Sequence, residues 1–374
     1  MKILIINDHL GNSGGAETFI HTLKDNLEKK GHLIRLLGSH RGENLASVFS
    51  RWYSLKWYKK TKETIKEFSP DVVHINNCVR VISPSVIDAA LDSRIPVVLT
   101  FHDFHYLCHR LGGIYKEDRP ESYKRRHKCF YENCLGYDEK IIDIPRNIWK
   151  RAKIILHRRV IKGEPILFVA PSKVLSKSME KFLKVPVKVI NNGIDIPKKK
   201  TKYKRTILFV GSLNEEKGFH KIASVLNKIK NYDIVVLGEG QFRKSLESRY
   251  KNIRFLGFQR PESYYKKASI AVVPSIWMEN FSYSVLEAMS YGLCVLGSDI
   301  GGIPEQIKDG ETGFLFKRGD SEDFEKKLNY VIKNPGEIRR IGRNASEYVK
   351  KNFSWKVIIR RYEEIYKEAV KNLR

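Results

Sequence analysis

The segment Gly211-Ser212-Leu213-Asn214-Glu215-Glu216-Lys217-Gly218 follows one apolar run and precedes a helical one. A small-residue turn at the carboxyl end of a strand offers backbone N–H groups, and a lysine beside it adds a full positive charge, so the combination can hold a diphosphate. An ordinary β-to-α loop with a surface lysine has the same composition. Nearer the N-terminus, Gly11-Asn12-Ser13-Gly14-Gly15-Ala16-Glu17 is a second such turn, able to present N–H groups to an anion at a helix start. It lacks the G-x-G-x-x-G spacing and the acidic residue ending the second strand, which disfavours an NAD-dependent dehydrogenase. Glu279 and Glu287, with seven residues between them, bracket a loop and the first turns of a helix. His102, in Leu99-Thr100-Phe101-His102-Asp103, stands just past a buried strand, where the alternative to a working histidine is a satisfied structural one.

Positioning these residues requires strands that end together. Lys2 to Asn7, His32 to Leu37, Asp71 to Ile75 and Pro96 to Phe101 read as strands, with Glu17 to Lys30 as an intervening helix, which is the βαβ grammar of a parallel sheet. A basic, aperiodic stretch around Lys198 to Arg205 then breaks the pattern. The grammar restarts with strands Thr206 to Val210, Ile234 to Leu237, Ile253 to Leu256, Ile270 to Val273 and Cys294 to Gly297, with a helix over Phe219 to Lys230. The expected fold class is α/β: two Rossmann-like, doubly wound parallel-sheet domains facing a cleft, over residues 1–196 and 197–354. The helix at 355–374 is expected to pack back on the first domain. Ligands of such sheets bind at the carboxyl ends of the strands, so all the residues above belong at the cleft.

With these surroundings the Glu279–Glu287 pair resembles the E-x7-E signature of family 4 retaining glycosyltransferases of the GT-B fold. Asn192-Gly193-Ile194-Asp195 is similar to that family's N-G-[IV]-D turn, Gly211 to Gly218 to its G-R-L-x-x-x-K-G donor loop, and Gly238-Glu239-Gly240 to its G-x-G loop. Gly301-Gly302-Ile303-Pro304-Glu305 and Gly310-Glu311-Thr312-Gly313 match the segment after the E-x7-E helix, and Gly14-Gly15-Ala16-Glu17 matches the N-terminal G-G-A-E loop. The resemblance runs from residue 14 to Trp355. It implies that Glu287 accepts hydrogen bonds from the donor's ribose and that Glu279 contacts the transferred sugar. Lys217, with backbone N–H groups of Phe281, Ser282 and Tyr283, would neutralise the diphosphate, and Gly211, Ser212 and Gly240 would line the donor loops. His102 becomes the cleft histidine, whose neutral ring or carbonyl faces the donor sugar, and Gly14, Gly15 and Glu17 form the acceptor- or phosphate-side loop. The departure is Ser212, where the family carries Arg. A hydroxyl brings no charge, so Lys217 and a nearby base such as Arg205 would have to suffice.

No D-x-D pair occurs, so no divalent metal and no other cofactor is expected, and the nucleotide-sugar is a co-substrate. Retention by a front-face, ion-pair-like route is what the resemblance implies. Cys108, Cys129 and Cys134 with His109 and His127 form a loose group whose spacing is too wide for a compact zinc site. The chain's 69 Lys+Arg against 42 Asp+Glu give a formal net charge of +27, which suits phosphorylated substrates or an anionic membrane surface as partners. Two basic stretches with interleaved apolar residues, Arg51 to Lys60 and Arg146 to Lys162, are either membrane-docking helices or core-facing stripes with a solvated basic side. No recognisable nucleic-acid module accompanies the charge. The N-terminus reads as a first strand rather than a signal peptide, and five cysteines fit a reducing cytoplasm. The expected partners are a nucleotide-sugar, UDP-linked before GDP-mannose, and a glycan or lipid-linked acceptor. A nucleotide-sugar epimerase or a phosphorylase on the same fold is the alternative enzyme, the latter without an evident pyridoxal lysine. A basic nucleic-acid-binding protein is the remote one.

Overall fold

The computed structural model describes residues 1–11, 15–39, 53–78, 82–104, 166–198 and 203–373. Among them, six parallel strands form the first sheet: β1 Lys2–His9, β2 Leu33–Ser39, β3 Val72–Ile75, β4 Val97–Thr100, β5 Ile166–Ala170 and β6 Val187–Val189, in the order β2-β1-β3-β4-β5-β6. Six more form the second: β7 Thr206–Val210, β8 Asp233–Leu237, β9 Ile253–Phe255, β10 Ile270–Val273, β11 Cys294–Ser298 and β12 Phe314–Phe316, in the order β12-β11-β10-β7-β8-β9. Each sheet has one place where the strand order reverses, between β1 and β3 in the first and between β7 and β10 in the second. Those crevices are where open α/β sheets bind ligands.

Both sheets are covered on both faces, which explains their continuous apolar strands. In β1, Ile3 and Ile5 face one way, against helix α1 (Gly15–Glu28). Leu4 and Ile6 face the other way, against helices α2 (Leu55–Phe68), α3 (Ser85–Leu91) and α4 (Lys173–Leu183). In the second sheet, Ile207 and Phe209 meet helix α5 (Phe219–Asn227). The short helices α6 (Arg243–Arg249) and α7 (Glu262–Tyr265) flank β9. Leu208 packs on the opposite face with helix α8 (Tyr283–Ser290) and the one-turn α9 (Ile303–Gln306). Helix α10 (Ser321–Lys333), N-capped by the Asp320 carboxylate, and helix α11 (Pro335–Asn352) complete the cover.

The last helix, α12 (Trp355–Leu373), covers the first sheet although it follows the second. Trp355, Ile358, Ile359, Tyr362, Ile365, Tyr366 and Ala369 recur at helical spacing and are all buried against Ile3, Ile5 and α1. At roughly 1.5–3 kcal/mol for each large side chain buried, this stripe holds the helix firmly to the first sheet. The chain therefore crosses between the sheets twice, and the crossings pair: Ile194 N–H donates to the Phe353 carbonyl at 2.9 Å and Trp355 N–H to the Ile194 carbonyl at 3.3 Å. Gly193 is required at this point because a Cβ there would lie 2.5 Å from the Trp355 ring.

Candidate functional site

The donor loop begins where β7 ends. Its Glu215–Lys217 segment is a single 3-10 turn closed by Gly218 at φ 66°, a left-handed conformation that favours glycine, and a Cβ there would collide with the Pro274 carbonyl. Ile276 N–H donates to the Glu216 carbonyl at 2.9 Å, so the loops after β7 and β10 are stitched together across the crevice. This brings Lys217 Nζ to 2.5 Å from Glu279 Oε1, which also accepts from Ser275 Oγ at 2.8 Å. Gly301 and Gly302 press against the backbone of Glu279 and Asn280, and Gly302 N–H donates to the Glu279 carbonyl at 2.6 Å. Burial pushes the Glu279 carboxyl up, but the Lys217 charge and the hydrogen bonds around it outweigh burial, and the carboxyl is held below its usual range. The Trp277 Nε1 is buried nearby without a hydrogen-bond partner. Lys217 keeps part of its surface open, so donors remain for an anion in the crevice.

Glu287 lies two turns further on, its Oε2 accepting from the buried Tyr265 hydroxyl at 3.0 Å, with Tyr265 stacked on Tyr291. Burial raises the Glu287 carboxyl, and the Tyr265 bond only partly offsets it. Gly211 and Gly240 lie in the adjoining loops. Gly211 N–H donates to the Leu237 carbonyl at 3.0 Å, and a Cβ on Gly240 would come within 2.7 Å of Leu213 and Asn214. Ser212 sits half-buried between them.

His102 follows β4 and reaches the second domain. Its Nε2 is 2.8 Å from Asn76 Oδ1, its ring meets Phe19 edge-on at 5.1 Å, and its carbonyl accepts from Asn280 Nδ2 at 2.6 Å. Although part of the residue reaches solvent, protein surrounds the ring elsewhere, and this burial lowers its pKa to about 4 against a weaker upward pull from Asp103. The ring is neutral at pH 7. Asn280 thus takes one lone pair of the carbonyl and Asn76 engages one ring nitrogen. Gly15 opens α1 with the Tyr283 ring 3.7 Å from where its Cβ would be, and Glu17 lies half-buried in the first turn of that helix. Gly14 lies outside the described residues.

Comparison with known proteins gives the family and the fold. The chain matches the family described as "Glycosyl transferases group 1" over residues 193–348 and "Glycosyltransferase Family 4" over residues 13–198. The chain belongs to the family 4, group 1 glycosyltransferases. An uncharacterized glycosyltransferase of Methanocaldococcus jannaschii is 25% identical over 299 residues, covering 73% of this chain and 84% of its own. A second from that organism is 27% identical over 307 residues, 74% and 70% of the two chains. Among solved structures, a sucrose-phosphate synthase from Thermosynechococcus elongatus has a TM-score of 0.72 at 15% identity, covering 98% of each chain. HepE of Anabaena, solved in complex with UDP, has a TM-score of 0.69 at 18% identity, covering 98% of this chain and 100% of its own. The fold is GT-B.

Several site residues of this glycosyltransferase differ from the sequence-based expectation. Ser282 N–H, expected to serve the diphosphate, is instead bonded to Gln306 Oε1 at 2.9 Å, while Gln306 Nε2 returns a bond to the Ser282 carbonyl at 2.8 Å. The buried Gln306 amide closes the start of α8 as a second strand would. The Phe281 side chain is core, set edge-on to Phe353 at 5.4 Å, so only its backbone N–H, as expected of it, can face the crevice. Arg205 does not compensate for Ser212. It is exposed at the amino end of β7, and five residues of strand, about 17 Å, separate that end from the donor loop. Trp57, one of the aromatics of the first basic stretch, is on the buried face of α2 with Lys60 over its ring at 4.7 Å, so it is a core anchor rather than a surface one. Arg51, Trp52 and the stretch Arg146 to Lys162 lie outside the described residues, as do Cys108, Cys129, Cys134, His105, His109 and His127.

Among the described residues no group of three His, Cys, Asp or Glu is placed to hold a metal ion, and no helix is long and apolar enough to cross a membrane. The site residues that the sequence alone did not mark are Ser275, Gln306, Asn280 and Asn76. The first three lie inside or next to the family motifs. Asn76 carried only a faint signal, an Asn-Asn pair straight after the strand Val72–Ile75.

Proposed function

We propose that this glycosyltransferase moves a hexosyl or N-acetylhexosaminyl group from a nucleotide-diphosphate sugar to a glycan or lipid-linked acceptor, with retention at the anomeric carbon and without a metal ion. The observation that carries the reading is the Lys217–Glu279 pair at the β7/β10 crevice. Lys217 supplies the charge that stabilises the departing diphosphate, as developing negative charge requires. Glu279 is already engaged by Lys217 and Ser275, which suits a carboxylate that orients sugar hydroxyls better than one that attacks the anomeric carbon. Glu287, on α8, takes the ribose. Gly15 and Glu17 on the facing domain, with His102, form the acceptor side. A UDP-sugar is favoured over GDP-mannose, and HepE, a structural neighbour, has been solved with UDP-glucose. A cytoplasmic protein working against an anionic membrane face fits the charge of +27.

The deciding experiment incubates the protein with UDP-, GDP- and ADP-sugars and measures nucleotide release and thermal stabilisation. Release from one of them, with stabilisation lost in Glu287→Ala, supports the reading. Stabilisation by none, together with salt-sensitive DNA binding, would replace it with the nucleic-acid alternative. An epimerised sugar with no nucleotide released would point to the epimerase.

A further inference from the structure

Asn76 belongs to none of the motifs that mark the cleft, yet it is fully buried beside His102, which links the two domains. It lies one residue beyond β3, at the reversal of strand order in the first sheet, and its own N–H is fixed to the Ile6 carbonyl at 2.9 Å. Asn77 N–H donates to Asn7 Oδ1 at 3.1 Å, so the loops after β1 and β3 hold each other and leave Asn76 little freedom. Its side-chain Oδ1 faces His102 Nε2 at 2.8 Å. With the amide in this orientation its oxygen can only accept, so the ring nitrogen that faces it carries the proton and Nδ1 keeps the lone pair. At the other end of the same residue, Asn280 Nδ2 from the second domain holds the His102 carbonyl at 2.6 Å. Its orientation is forced, because the opposite one would set oxygen against oxygen. The remaining amide atoms, Asn76 Nδ2 and Asn280 Oδ1, are both buried without a hydrogen-bond partner. Two half-satisfied amides on one histidine are costly unless the geometry they impose is used.

We propose that Asn76 is a positioning residue for sugar transfer: it fixes His102 as the Nε2–H tautomer, with Nδ1 as the acceptor for a hydroxyl in the cleft, and Asn280 makes that alignment conditional on closure of the two domains. This rests on the glycosyltransfer reading above. The groups that face the ring are few. Asp103 lies on its own loop, neutral His74 on β3, the Asn76 amide just past β3 and the Phe19 ring on α1, while Asn280 of the second domain meets the backbone carbonyl instead. None of these except Asp103 carries charge near neutrality, so the ring stays neutral while an amide is its partner.

The test uses the full chain in three forms. Asn76→Asp keeps the shape but sets a carboxylate on Nε2–H, which favours the imidazolium and raises the histidine pKa by roughly 1–3 units. The acid limb of its kcat profile with the preferred nucleotide-sugar is expected to move up by at least one pH unit, with KM for that sugar changed less than about threefold. Asn280→Ala, with His102 untouched, is expected to lower kcat about 10- to 100-fold while nucleotide alone still raises Tm. Histidine-selective 15N spectra of the wild type are expected to show His102 protonated on Nε2. A proton on Nδ1, or an acid limb for Asn76→Asp that overlays the wild type, would overturn the proposal. The 15N spectrum needs no substrate, so a wild type that releases no nucleotide counts against the transfer reading alone.

Discussion

The Lys217–Glu279 contact changes what each residue's removal should do. Lys217→Ala strips a charge from the crevice and also leaves a buried carboxylate without its cation. Tm is expected to fall as well as nucleotide affinity, and the Lys217→Ala/Glu279→Ala double variant to be destabilised by less than the two singles summed. A coupling of about 1–3 kcal/mol from denaturant melts would express this, and strict additivity would mean the pair is incidental. The buried histidines give a pH dependence with a definite sign. Burial lowers His74 from 6.5 to about 3 and His102 from 6.5 to about 4. Between those values and 6.5 the unfolded chain binds more protons than the folded one, so stability rises with pH in that window and falls as the solution is acidified below about 6.5. Thermal melts from pH 7.5 to 4.5 should show this decline, and His74→Gln should make it shallower. Ser212 remains a plain departure from the family pattern.

At the scale of elements, α12 is held by more than its apolar stripe. Tyr366 hydroxyl lies 2.8 Å from His74 Nδ1, and His74 Nε2 lies 2.8 Å from Thr100 Oγ1, all of it buried beneath β4. Tyr366→Phe leaves one nitrogen of a buried ring unpaired and is expected to cost about 1–3 kcal/mol in urea unfolding, with no change if water takes the place of the hydroxyl. Gly193→Ala is expected to be as damaging, because Trp355 has no room to retreat between the paired crossings. The long, strongly patterned elements are legible in sequence. The helical stripe from Trp355 to Leu373 and the strands Ile270–Val273 and Thr206–Val210 occur where periodicity and apolar runs put them. The helix after the donor loop ends at Asn227, three residues short of the expected Lys230, since the Lys228 and Ile229 N–H groups bond back three residues rather than continuing the ladder. The strands β6 and β12 are three residues each and, unlike the equally short β9, are not marked by the sequence pattern.

At the scale of the whole molecule, the two domains touch through polar contacts that reach from one sheet's edge to the other's. Besides Asn280 on His102, Glu305 of α9 accepts from the Lys173 and Val174 N–H groups at 2.7 and 2.9 Å and so caps α4 of the first domain from the second. Glu305→Ala is expected to loosen closure, raising KM for the nucleotide-sugar severalfold with only a small loss in Tm. An unchanged KM would show that closure does not depend on that cap. Activity is expected to survive EDTA, measured as nucleotide release, and its loss with restoration by Mg²⁺ or Mn²⁺ would overturn the metal-free reading. Flotation with anionic liposomes at low salt tests the membrane partner, and no flotation would remove it. The sequence by itself determined the fold class and the ordered glycines, lysine and glutamates of the donor side, because β–α loops at strand ends are local and their residue types follow from backbone geometry and charge. Only the tertiary structure decided which atoms meet. Lys217 and Glu279 are 62 residues apart, and Asn280 and His102 178. Ser282 lost its expected role to Gln306, and Arg205 fell at the wrong end of its strand. Such pairings depend on how two sheets and a returning helix pack, and no local pattern carries that information.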